Sequence, residues 1–318
     1  MSTEESSFVN AVRNRQVDCV RELLENGADP NIQDEDRRTA LFYATKKGHT
    51  EMVDLLLTNG ADPNLQDKDG KTALIDATYN KKTEIVDLLL ANGADPNALD
   101  KHKRTALIYA TQLDHPDIVD LLLSNGADPI VQEKDGKFVL TVGTPRGCRE
   151  IVRQLLANGA DPNTRTEDVD AALIELDKRY TEIVHLLLTN GANPNLQYHT
   201  GATALFYAAF GGRAKIVDLL ITNGADPNIQ STDGSTVLIH AARWGDTDIV
   251  DLLLNNGADL DIQDKQGKTA LNWAVLKGHD AIVCILLHAH AEHFSRYFDV
   301  PRAVVGNKVV DAMMAEQA

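Results

Sequence analysis

Aromatic residues make up only 5% of this 318-residue chain, so its core cannot be built on stacked rings. Burial has to rest on Leu, Ile, Val and Ala. Cysteine is scarcer still: Cys19, Cys148 and Cys284 lie far apart. That excludes a disulfide framework and sets the expectation of a reducing, cytoplasmic compartment. No apolar run approaches the roughly 18 residues a membrane span needs, and Met1-Ser2-Thr3-Glu4-Glu5 does not read as a secretory signal. The sequence also lacks a phosphate loop, a G-x-S-x-G elbow, a kinase signature and a Cys-x-x-Cys pair. No catalytic residue, metal site or cofactor is therefore expected.

What the chain has in abundance is self-similarity. The stretch Leu55-Leu56-Leu57-Thr58-Asn59-Gly60-Ala61-Asp62-Pro63-Asn64 recurs along its length. Its glycine falls at Gly27, Gly60, Gly93, Gly126 and Gly159, each 33 residues from the last. Gly191, Gly224 and Gly257 continue the series after one step of 32. An eroded copy reads Leu286-Leu287-His288-Ala289-His290-Ala291-Glu292. A fixed period of this size means a stacked repeat array, which overrides the domain count that length alone would suggest.

Each residue of the stretch has a physical job. The leucines close an amphipathic helix and face its core. Asn-Gly stops the helix, because glycine enters the left-handed region without a Cβ penalty. Pro63 keeps the helix from resuming, and Asp and Asn bond nearby amides to hold a tight turn. Upstream, Asp67-Lys68-Asp69-Gly70 reads as a turn, Thr72 as the cap of a first helix starting at Ala73-Leu74, and Glu84 as the start of a second. Gly48-His49, Asp114-His115 and Gly278-His279 mark the break between the two helices. Helices this short are unstable alone, so stacking must hold them.

With these residues the chain resembles the ankyrin-repeat family, whose unit is a turn followed by two antiparallel helices. Thr-Ala-Leu at 39–41, 72–74, 105–107, 203–205 and 269–271 stands where the family writes Thr-Pro-Leu-His. The resemblance implies an all-α solenoid of about nine helix-turn-helix units with β-turn-like loops. Residues 1–31 form an N-terminal capping repeat, 32–294 repeats two to nine, and 295–318 a C-terminal cap or tail helix. It also implies a non-catalytic protein-interaction scaffold, monomeric, with a concave groove for its partner. An alternative is an adaptor that recruits substrates to an enzyme such as a ubiquitin ligase, docking through its C-terminal tail.

The net charge of −16 argues against nucleic acid. It is unevenly spread. The aspartates recur at fixed turn positions, whereas the turn tips and the exposed side of the first helices are net basic. Arg38, Lys46, Lys47, Lys71, Lys101, Arg104, Lys137, Arg146, Lys178, Arg179, Arg243 and Lys277 lie there. Tyr43, Tyr109, Tyr207 and Trp273 share one position on the first helix, and Tyr79, Leu113, Phe210 and Trp244 sit three or four places on. Spacing of i, i+3 and i+4 gathers such residues on one face. Large aromatics and Arg are what interface hot spots are made of. The expected partner is a protein offering an acidic or mixed-charge segment. For the Tyr43 position, packing between successive first helices is the competing role. His288, His290 and His293 near Cys284 match no standard zinc spacing and read as a decayed terminal repeat. Pro145, Leu176 and the 32-residue step mark residues 131–185 as the weakest joint of the array.

Overall fold

A computed structural model describes residues 3–130, 149–163 and 179–298, and every structural statement concerns these. They fold into helices with no strand, in two compact units, Met1–Val169 and Asp170–Ala318. Unit one holds α1 (Thr3–Arg13), α2 (Val17–Glu25), α3 (Ala40–Lys47), α4 (Thr50–Thr58), α5 (Ala73–Tyr79), α6 (Thr83–Ala91), α7 (Ala106–Gln112), α8 (Pro116–Ser124) and α9 (Arg149–Ala157). Unit two holds α10 (Arg179–Thr189), α11 (Ala204–Phe210), α12 (Ala214–Thr222), α13 (Val237–Trp244), α14 (Thr247–Asn255), α15 (Ala270–Lys277) and α16 (Asp280–Phe298).

First helices stack on first helices and second on second. In unit one α1, α3, α5 and α7 form one row and α2, α4, α6, α8 and α9 the other. In unit two the rows are α11, α13, α15 and α10, α12, α14, α16. The apolar spacing explains both. Val53, Leu56, Val86, Leu89, Val119 and Leu122 recur at i, i+3 and are fully buried between the rows. Ala44, Ala77 and Ala110 are also fully buried on the first helices, where a small side chain lets neighbours approach.

The local signals work as their chemistry predicts. Thr72 Oγ1 accepts the Ile75 amide at 3.3 Å, and Thr39, Thr105, Thr203, Thr236 and Thr269 cap their helices the same way. At the far end Gly60 takes a φ of +86°. Its amide reaches Leu57 O at 3.1 Å and that of Ala61 reaches Leu56 O at 3.0 Å, closing the last turn. Asn59 Nδ2 adds a bond to Leu55 O at 2.8 Å. Where Lys103 replaces the turn glycine, the backbone keeps the same left-handed geometry, φ +60°.

The turn asparagines hold neighbouring repeats together. Asn31 Nδ2 donates to Gly60 O at 3.0 Å, and its Oδ1 accepts the Asp62 amide at 2.7 Å. Asn64 and Asn97 repeat this in unit one, Asn195 and Asn228 in unit two. Turn tips are joined directly as well: the Lys68 amide reaches Asp36 O at 3.0 Å and the Lys101 amide reaches Asp69 O at 2.9 Å.

α16 runs through the boundary that the sequence places at 294 and reaches Phe298. The Asn-Gly stop is written Ala289-His290 there, so nothing ends the helix. The tail from 299 to 318, the adaptor alternative that depends on it, and most of the expected weak joint lie outside the described residues.

Candidate protein-binding face

In four of the described turns, those of Asp34, Asp67, Asp100 and Asp264, one carboxylate organises the turn beneath the first helix. Asp100 Oδ1 accepts the amides of His102 at 2.8 Å and Arg104 at 2.9 Å, and its Oδ2 accepts the Tyr109 hydroxyl at 2.7 Å. Burial by itself would raise this carboxyl, but those donors outweigh it and hold it below the usual range. Burial, and then the bond to Asp100, pushes the Tyr109 hydroxyl well above its ordinary value. Asp34 receives the Tyr43 hydroxyl in the same way, and Asp264 receives Trp273 Nε1 at 2.7 Å.

The expected partner-binding residues differ in how much surface they leave open. Tyr109 and Trp273 are 4% and 5% exposed and are committed to the fold. Tyr43 and Tyr207 are half-buried, Tyr207 with its hydroxyl 3.0 Å from Thr200 Oγ1. A ring that bonds its own turn and packs under a neighbour has little surface left for a partner. Arg38 and Arg104 are half-buried too, Arg38 paired with Asp36 and Asp67, and Arg104 with Asp100. Lys101 pairs with Asp69 at 2.6 Å.

Three or four places further along, the side chains are open. Tyr79 is 50% exposed, Leu113 38%, Phe210 59% and Trp244 62%. Lys46, Lys47 and Lys277 are exposed, and Lys71 and Arg243 half-buried. Lys137, Arg146 and Lys178, and the side chain of Arg179, lie outside the described residues. Leu276 was not expected at the site, yet it is 60% exposed. It occupies the repeat position of Tyr79 and Phe210, so reading that column for any large apolar residue would have found it.

The two units present different chemistry. In unit one, Lys71 Nζ lies 5.5 Å from the Tyr79 ring centroid and 5.9 Å from that of Tyr109, while Tyr79 packs edge-on to Tyr109 at 5.8 Å. Asp76 takes the position that Tyr43 and Tyr109 hold on the flanking helices. Burial raises its carboxyl against the pull of Lys46 and Lys71. In unit two, His240 holds that position and touches three rings. Phe206 is 4.9 Å away, Phe210 5.1 Å and Trp244 6.0 Å, centroid to centroid. Burial, and then Arg243, pushes the His240 imidazole down to about 4.

The described residues contain no group of three or more His, Cys, Asp or Glu able to hold a metal ion. None of their helices is long and apolar enough to cross a membrane. Over 44 residues the chain is 48% identical to the ankyrin repeat protein nuc-2 of Neurospora crassa. The aligned stretch is 14% of this chain and 4% of that protein, so the chain matches only a small fraction of the relative's length. The family model described as ankyrin repeats in three copies matches residues 8–100, 77–166, 170–264 and 212–296. With nearly the whole described chain inside those matches, and the capped helix pairs and bridged turns in place, the protein belongs to the ankyrin-repeat family.

Proposed function

We propose that this chain is a non-catalytic scaffold that binds an acidic or mixed-charge segment of another protein on the first-helix face of unit one. Ankyrin repeats generally mediate protein–protein interactions. One observation carries the finer reading. The turn carboxylates Asp34, Asp67 and Asp100 are occupied by their own backbone amides, whereas Lys46, Lys47 and Lys71 make no ion pair among the described residues. The carboxylates of these turns are thus engaged within the fold, and Lys46, Lys47 and Lys71 remain for a partner. Aromatic and cationic side chains gathered on a preformed face supply both contact area and steering.

The test is affinity purification from the native cell with the wild-type chain and a Lys46→Glu/Lys47→Glu/Lys71→Glu variant. The wild type should retain a partner that salt releases progressively, and the variant should lose it. Recovery of the same partner at the same salt with both chains would refute the basic face.

A further inference from the structure

Unit two carries no comparable run of lysines. Its first helices α11, α13 and α15 contain no carboxylate at all, and their only charged residues are Arg243 and Lys277. Beside these two cations stand Phe210, Trp244 and Leu276, each more than half exposed. Large apolar side chains in such numbers on one face are not needed by the stack, whose core is already filled by Leu205, Leu238 and Leu271. The rings also lean on one another. His240 sits between Phe210 and Trp244, and Phe206 backs it from the same helix as Phe210. The Arg243 guanidinium lies 4.2 Å over the buried Trp273 ring, and its carbonyl oxygen is 3.2 Å from His279 Nε2. Arg243 and Lys277 make no ion pair among the described residues.

We infer that unit two bears a second, separate docking surface, for a protein segment that presents a bulky apolar side chain flanked by carboxylates. The apolar side chain stacks against Phe210 and Trp244, and the carboxylates pair with Arg243 and Lys277. The partner class follows from charge: both charges on these helices are positive, so a basic flank would be repelled and an uncharged one would leave them unused. Pre-ordered rings lose little entropy on binding, which favours Phe210 and Trp244 as anchors. This surface rests on the reading of the protein as a binding module, but it differs from the basic face in setting three large apolar side chains, each more than half exposed, around only two cations.

The probes are two short fluorescein-labelled peptides, one of glutamate and leucine and one with every leucine replaced by serine, plus a lysine–leucine control. Binding to the full-length chain is read by anisotropy, and contact at Trp244, the exposed one of the two tryptophans, by the emission change that Trp244→Ser removes. The glutamate–leucine peptide should bind and shift the emission. Phe210→Ser and Trp244→Ser should each weaken it by about tenfold or more, the loss of a hot-spot contact. Arg243→Gln should weaken it too and flatten its salt dependence. Both aromatic side chains point to solvent, so these variants fold, which melting curves verify. The serine peptide should lose the same affinity on the wild type. Lys46→Glu/Lys47→Glu/Lys71→Glu should lower the anisotropy signal from the unit-one face but leave the tryptophan emission shift intact, because both tryptophans lie in unit two, so failure of the unit-one face and failure of this one are told apart. Equal binding of the lysine–leucine peptide, or binding insensitive to Phe210 and Trp244, would overturn the inference. So would no binding at all.

Discussion

Replacing Asn64 by Ala should weaken one joint of the array by a calculable amount. Its side chain bridges two repeats, Nδ2 to Gly93 O at 3.0 Å and Oδ1 from the Asp95 amide at 2.7 Å. The bond from its own amide to Asp62 Oδ1 is made by the backbone and survives the change. Each lost bond is worth about 0.5–1.5 kcal/mol net. Both partners are exposed, so water can replace the amide and no buried group is orphaned. The expected loss is therefore about 1–2 kcal/mol in urea unfolding. Asn64→Asp should cost roughly half as much, because it keeps the acceptor for Asp95 and loses only the donor. Hydrogen exchange localises the effect: the Asp95 amide should lose protection in Asn64→Ala and keep it in Asn64→Asp. If the alanine variant unfolds with the wild type and Asp95 stays equally protected, the asparagine bridges do not hold the repeats together.

Leu89→Ala, at a fully buried position of α6, should cost about 2–5 kcal/mol in the same urea assay. Ile130 stands where six other turns have asparagine and one has Asp261, and its side chain has no donor or acceptor, so Ile130→Asn should raise the unfolding midpoint. His240 titrates near 4 in the fold and near 6.5 when unfolded. Between those values the unfolded chain binds the extra proton, so stability is full above pH 6.5 and falls as pH drops toward 4. The loss amounts to about 3 kcal/mol at most. A His240→Phe variant compared with wild type across that window should show a shallower decline. Asp76→Tyr should supply the hydroxyl that Tyr43 and Tyr109 give their own turns and remove a half-buried carboxylate. The raised Asp76 carboxyl weakens the fold only above its unfolded value of 3.8, so the gain in melting temperature should appear at neutral pH and vanish in acid.

The repeating helix pairs were legible in the sequence because their determinants are local. A threonine caps the helix whose amide lies three residues on, and glycine ends it by its own backbone freedom, whatever the neighbours do. The apolar spacing named which side of each helix is buried, as the full burial of Leu56, Leu89 and Leu122 shows. The erosion of the last Asn-Gly was visible too, although its result, a helix continuing to Phe298, followed only from the structure. What the sequence could not assign was the use of each first-helix position. Tyr109 and Tyr79 have the same side chain and share one helix face by spacing, yet one is buried against Asp100 and the other half open to solvent. That difference is set by the Tyr109 turn, whose Asp100 takes the hydroxyl, and by Tyr79 and Lys71 of the preceding repeat, which lie against its ring. The same holds for the cations: Arg38 is held by Asp67 of the next repeat, while Lys46 is left to solvent. Local chemistry determined the repeat; the stacking of one repeat on the next decided which residues stay exposed.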